Sequence, residues 1–430
     1  MNYEMRNKNT LYLLLSANII LGLAHGISML AIPWYFTDIL GRGDLFGKLF
    51  AGVTFLTLFW SLFSGTIIDR FSRKKVFMGL TISGATVMGS AALYGHVTGE
   101  MPIALVAFVF LATIFNFNVH FPNLYAYCQE ITEANNYVRT NTLLEIQNQV
   151  TRMISGGVAA ILLAGTMSEK FILKEIIPIK VEPWQLYEIF TIDMVAYIFA
   201  FFVVMNIQHI PIKKKQIERG NILKRMRTGF RFFKKNPLLF YFGNATYIIF
   251  VMVLIHIFYL MPNYVNKHLM MDADIYAAGE IVYSMGAILI GLSIQWISRR
   301  LNTVPAMIMS LIVTSAFLFL FGATRSVLVY LIFNAVIGVT NSGVRVLRIT
   351  YLFERIPNEV IGRANSVFQA INILLRTAFA SLFAISFFTS SNNVIYAYYI
   401  FGVVVLIFMI PLIFHYKSLL YLKPSEETTV

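Results

Sequence analysis

A chain of 430 residues that is 58% hydrophobic and only 13% charged, with a mean hydropathy of +0.70, lies outside the composition of water-soluble domains, in which about a quarter of residues are charged. A net charge of +13 with a pI near 9.6 would raise nucleic acid as a partner in a soluble protein; here the basic residues collect between apolar runs, where they report membrane topology instead. The single cysteine, Cys128, excludes an intramolecular disulfide and a multi-cysteine metal site, and no motif calls for a cofactor or a metal.

In chain order, apolar runs fall at 11–36, 46–68, 76–97, 102–128, 140–164, 187–208, 237–264, 275–298, 304–323, 326–352, 362–388 and 393–416. Since about 20 apolar residues cross a bilayer as a helix, these predict an all-α polytopic membrane protein with twelve transmembrane helices. The first run is longer than the ~7–15 apolar residues of a secretory signal and is read as a retained helix. Of the 34 Lys and Arg residues, 23 fall in one alternating set of loops and termini and seven in the other, which includes Lys170, Lys174 and Lys180. The positive-inside rule then puts both termini in the cytoplasm.

The longest basic break separates the sixth run from the seventh. It holds Lys213-Lys214-Lys215 and an amphipathic stretch from Ile222 to Lys235, read as an interfacial helix facing anionic lipid. The expected organisation is a six-helix bundle over 1–208, a basic cytoplasmic linker over 209–236, a second six-helix bundle over 237–416 and a cytoplasmic tail over 417–430.

The two halves read as copies. Arg139, Asn141, Asn148 and Arg152 of the fifth run recur 224 residues later as Arg363, Asn365, Asn372 and Arg376 of the eleventh, and the same offset carries Glu130 onto Glu354. Pro33-Trp34-Tyr35 is echoed by Pro262-Asn263-Tyr264, and Gly65 with Arg73-Lys74 by Gly291 with Arg299-Arg300. A duplicated, pseudo-symmetric helical bundle with a site where the repeats meet is an architecture of secondary transporters.

Between the second and third runs the chain reads Gly65-Thr-Ile-Ile-Asp69-Arg70-Phe-Ser72-Arg73-Lys74-Lys75. This resembles the major facilitator superfamily signature G-x-x-x-D-R-x-G-R-R/K, with Ser72 where that family usually has Gly. The resemblance extends, as architecture, over nearly the whole chain. Within the superfamily the Arg-bearing fifth and eleventh helices, the Gly-Phe-Arg-Phe-Phe-Lys-Lys-Asn-Pro segment and Ile361-Gly362-Arg363-Ala-Asn-Ser are similar to the macrolide-efflux and enterobactin-exporter branch. It implies the major facilitator fold and a cytoplasmic gate formed by Gly65, Asp69, Arg70, Arg73, Lys74, Glu130 and Arg139 with Glu354 and Arg363 of the repeat. Topology signalling is the simpler reading of the basic members.

Charges inside a bilayer usually face a cavity or a partner. Arg152 lies roughly 18 Å into its helix, and Arg376 holds the duplicated place. Their guanidinium forks suit a carboxylate, phosphate or other oxyanion, with Asn148 and Asn372 one turn away. For Arg152, an ion pair with Glu145 on the same helix competes with substrate contact. His25, His120 and His256 lie in helices expected to line the cavity and are further substrate-binding candidates, and Glu145 is the candidate proton carrier. The Gly-Pro element that the resemblance associates with antiport is present only as Ser155-Gly156-Gly157, without Pro. Asp193 and Glu280 are read as closer to the outer surface, and Arg345 and Arg348 as snorkelling or gate residues.

No catalytic motif of the H-E-x-x-H, G-x-S-x-G or Walker A type occurs, so an intramembrane enzyme is a remote alternative. The expectation is a monomeric, proton-coupled secondary transporter of a bacterial inner membrane, exporting an amphipathic small molecule, anionic in one version, such as a siderophore or drug. Membrane lipid and a proton are its other partners. Uptake of an anionic solute and lysophospholipid flipping are the alternatives.

Overall fold

The computed structural model describes residues 3–132, 137–165, 182–208, 222–300 and 302–423, and among them there is no β-strand. The side chains of Asp69, Arg139, Arg299 and Arg300, and all of Lys170, Lys174, Lys180 and Lys213 to Lys215, lie outside the described residues. The long helices are α1 (Tyr3–Trp34), α2 (Gly43–Arg70), α3 (Arg73–Thr98), α4 (Ile103–Ile131), α5 (Tyr137–Ala164) and α6 (Leu186–Met205), then α7 (Ile222–Lys235), then α8 (Pro237–Leu269), α9 (Ala273–Arg300), α10 (Thr303–Ala323), α11 (Val327–Arg355), α12 (Asn358–Phe383) and α13 (Val394–Phe414). Helices satisfy every internal backbone donor and acceptor, the condition for crossing lipid.

Among the described residues, ten helices are long and apolar enough to span a bilayer, which makes the chain a multi-pass membrane protein. The two further expected spans, α2 and α5, are helices of 28 residues each but are not among those ten. In α5 the cause is composition: Glu145, Gln147, Asn148, Gln149 and Arg152 occupy its middle. The eleventh expected run, 362–388, is corrected to α12, which starts at Asn358 and stops at Phe383. An extended residue, Ile385, then separates it from a four-residue helix, Ser386–Thr389.

Two prolines shape the first helix and its repeat. Pro33 has no N–H for the helical ladder, and α1 runs directly into a π-helical turn at Tyr35–Ile39, closed by Leu40 N–H to the Tyr35 carbonyl at 2.9 Å. In α8, Pro262 sits in a short α segment between π turns at His256–Leu260 and Tyr264–Leu269. The Pro-x-Tyr echo read from the sequence is thus also an echo of backbone geometry.

The chain forms two compact units. The first comprises Met1–Gly41, Leu56–Glu218 and Asp272–Ile281; the second comprises Arg42–Phe55, Arg219–Met271 and Val282–Val430. The start of α2 belongs with the second unit and the start of α9 with the first. Small residues explain both. A Cβ at Gly43 or Gly47 would meet Asn263 or Tyr259, inside the second unit, and one at Gly156 would meet Ile281 and the Ala277 carbonyl, inside the first. In the first unit α3 and α1 pack along α6, and α1 along α5. In the second, α10 packs on α13, α8 on α11, α12 and α13, and α7 on α12. A close crossing joins α9 and α11, where Gly286 faces the Ala335 carbonyl and Gly338 the Tyr283 carbonyl so closely that neither has room for a Cβ.

Candidate functional site

In the first unit, the polar residues of α1, α4 and α5 form one connected strip. Asn18 of α1 donates to the Asn148 side-chain carbonyl at 3.1 Å, and the Asn18 side-chain carbonyl accepts from Nε2 of His120 on α4 at 2.9 Å. Gln147 holds α5 against α1 through the Leu15 carbonyl at 3.1 Å. Two turns along α1 from Asn18, the ring of His25 stacks on Phe117 with centroids 5.3 Å apart. Arg152 follows Asn148 by one turn of α5, so four of the expected residues lie on this strip or next to it. Asn18, its centre, is not among the expected residues, although an Asn in an apolar helix is itself a signal.

Arg152 does not pair with Glu145. Its Nη1 lies 3.4 Å from Oε1 of Glu280, near the start of α9. Glu145 instead accepts from Gln149 Nε2 at 2.9 Å, one turn along its own helix. The preference is geometric, since residues seven apart on one helix are about 10 Å apart along its axis, whereas α9 brings a carboxylate directly opposite. The pair is asymmetric: the Glu280 side chain is 8% exposed and that of Arg152 38%. The second oxygen of Glu280 is buried without a partner among the described residues.

The repeat in the second unit is built differently. Nε of Arg376 and Nδ2 of Asn372 are buried donors one turn apart on α12, and neither finds an acceptor among the described residues. No acid lies within ion-pair distance of Arg376 among those residues.

His256 lies in the core of the second unit. It is fully buried, Nε2 donates to the Asn334 side-chain carbonyl at 3.0 Å, and Nδ1 accepts from the Tyr398 hydroxyl at 3.0 Å. Phe321 and Phe333 enclose the ring edge-on. Both ring nitrogens are engaged in this arrangement. Arg348 is no snorkelling residue: it is buried, donates to the Thr246 carbonyl at 3.1 Å and lies 3.6 Å from the Tyr247 ring centre.

At the α2–α3 turn, Arg73 donates to the Ile68 carbonyl and its Nε lies 3.8 Å from Glu130 of α4. Asn123 donates to the Arg73 carbonyl at 3.0 Å, tying the turn to α4. Lys74 donates to the Met205 and Ile207 carbonyls, both at 2.8 Å, and so neutralises the C-terminal end of α6. Ser72, the departure from the family pattern, caps α3 by accepting from the Lys75 amide at 3.4 Å. Arg70 is exposed, and a Cβ at Gly65 would touch nothing within 4 Å. In the repeat, Glu354 pairs with its neighbour Arg355 at 2.7 Å, and the Arg363 carbonyl packs against Gly229 of α7.

A family model described as the Major Facilitator Superfamily matches residues 14–380. Similar solved structures include the nucleoside transporter NupG, at TM-score 0.69 and 14% identity over 95% of this chain and 99% of that one. A bacterial homolog of the human lysosomal transporter Spinster matches at TM-score 0.70 and 12% identity over 97% and 99%. The D-xylose–proton symporter matches at TM-score 0.66 and 12% identity over 95% and 97%. At these identities the likeness is one of fold. Among curated proteins, none matches the chain by sequence.

Proposed function

Because the chain belongs to the major facilitator superfamily, we propose that it is a secondary transporter working by alternating access, with twelve spans, both termini in the cytoplasm, and the bacterial inner membrane as its location. Its assignment to the macrolide-efflux and enterobactin-exporter branch, and with it proton-driven export of an amphipathic anion, rests on the sequence resemblance. Proton and sugar or nucleoside transport by the similar structures supports the mechanism class alone.

The observation that carries the anionic substrate is the pair of buried donors on α12. Buried N–H groups without an acceptor cost about 1–3 kcal/mol each, so Arg376 and Asn372 are kept at a standing cost that an incoming oxyanion would relieve. Arg152 is already engaged by Glu280. In this reading Glu280, rather than Glu145, is the proton group: when it takes a proton the ion pair weakens and Arg152 is released towards substrate. The residues of the α2–α3 turn and Glu354 with Arg363 serve as the cytoplasmic gate.

Proteoliposomes loaded with paired anionic and neutral amphipathic compounds, with and without a proton gradient, test the proposal. Arg376→Ala is expected to lower flux of the anionic member at least about tenfold, a charge-assisted bond of ~1.5–3 kcal/mol, while sparing the neutral one. Glu280→Gln is expected to remove the gradient dependence. Undiminished anion flux in folded Arg376→Ala protein would sink the anion assignment.

A further inference from the structure

α7 has two faces with different tasks. Gly229 and Phe233, one turn apart, are buried against α12: a Cβ at position 229 would lie 2.5 Å from the Arg363 carbonyl oxygen, and the Phe233 ring is 4.7 Å from that of Phe368. On the opposite face Arg227, Phe230, Arg231 and Lys234 recur at intervals of three and four residues, and all are exposed, Phe230 by 47%. No acidic residue occurs between Ile222 and Lys235, and none of these cations forms an ion pair among the described residues.

Two junctions set α7 beside the starts of two bilayer-length spans. One residue, Asn236, separates Lys235 from Pro237, the first residue of the bilayer-length span Pro237–Leu269. Asn236 leaves the helical conformation, at φ −128° and ψ 64°, so the chain bends there instead of continuing α7 into the span. The residue gripped by Gly229, Arg363, is the fourth of another span, Val360–Phe383. Both attachments tie α7 to the edge of the hydrocarbon region. Cations flanking an exposed aromatic ring at that depth match a phosphodiester surface above acyl chains.

We infer that the outer face of α7 binds the anionic phospholipids of the adjoining leaflet, and that its inner face passes the presence of those lipids to the start of α12. The partner is a bilayer, because Phe230 between the cations needs an apolar phase beneath the phosphates, which an acidic protein or free phosphate does not supply. The inference concerns lipid alone and does not rest on the transport reading.

The test uses the full chain carrying Phe230→Trp in vesicles whose acyl chains are brominated, with the signal of the four native tryptophans subtracted from the parent protein. Phosphatidylcholine vesicles are compared with vesicles containing about 30% phosphatidylglycerol, an anionic content in the range that attracts juxtamembrane basic segments. Stronger quenching of the introduced indole is expected in the anionic vesicles, falling about fivefold in lipid preference for each charge removed in Arg227→Gln, Arg231→Gln and Lys234→Gln. Amide exchange of residues 360–368 is expected to slow with anionic lipid in the parent and to ignore it in the triple variant. Equal quenching in both vesicle types would overturn the inference, as would competition by millimolar inorganic phosphate that leaves the introduced indole unquenched. Unchanged exchange at 360–368 would overturn the link to α12.

Discussion

Arg152→Met and Glu280→Gln remove opposite ends of one ion pair and are expected to differ in cost. Cutting one partner from a buried pair costs ~3–5 kcal/mol when the remaining charge stays buried. Arg152→Met leaves the Glu280 carboxylate, 8% exposed and with one oxygen already unpartnered, so its cost falls near the lower end, about 3 kcal/mol. Glu280→Gln leaves a guanidinium that is 38% exposed and sits on a flexible stem able to carry it to water, which brings the cost to about 1 kcal/mol. Adding Glu280→Gln to Arg152→Met removes the stranded charge and is expected to recover about 2 kcal/mol. The protein supplies its own probe. Cys128, its single cysteine, is 1% exposed, so a thiol-reactive dye reports unfolding in detergent as Cys128 is uncovered. The expected order of unfolding temperatures is parent highest, Glu280→Gln and the double variant together below it, and Arg152→Met lowest. If the two single variants are equally unstable, or the double variant equals their sum, the two residues do not act as a pair and the proton role of Glu280 loses its support.

Two further substitutions separate structural from functional roles. His256→Leu strands the Asn334 carbonyl and the Tyr398 hydroxyl in the core and is expected to cost about 1–3 kcal/mol by the same dye assay, without changing substrate preference in a transport assay; altered preference at unchanged stability would return His256 to the site. Gly338→Ala drives a methyl into the Tyr283 carbonyl of α9 and is expected to destabilise by about 2 kcal/mol or more, whereas Gly65→Ala meets nothing within 4 Å and is expected to be neutral or to stabilise by up to ~1 kcal/mol. Equal effects of the two would show that the α9–α11 crossing relaxes freely.

What the sequence discloses is what depends on neighbouring residues. Apolar runs, the amphipathic α7 and the Pro-x-Tyr echo are periodic or local signals, and the structure expresses each as a helix or a turn. The π turns after Pro33 and within α8 are not legible there, because a proline announces a broken ladder without saying how it is repaired. Ser72 reads as a departure from a family pattern, and its role as a cap follows from its place one residue before α3. Partners supplied by distant helices are beyond reach. Glu280 stands 128 residues from Arg152, and Asn334 and Tyr398 stand 78 and 142 residues from His256. Pattern reading therefore offers Glu145, the nearest acid on the same helix, where tertiary packing chose another.

The exchanged starts of α2 and α9 set an order of events during synthesis. The first unit draws Asp272–Ile281 from beyond the linker, and with it the carboxylate facing Arg152. Until residue 281 has left the ribosome, Gly156 has no Ile281 to rest against and Arg152 has no Glu280 beside it. The first unit is complete only when residues from beyond the linker have been made, unlike a domain that closes upon itself. A chain truncated after α7 would lack a piece of the first unit, Asp272–Ile281. Co-expressing the missing part as a separate polypeptide would have to restore that piece across a break in the chain.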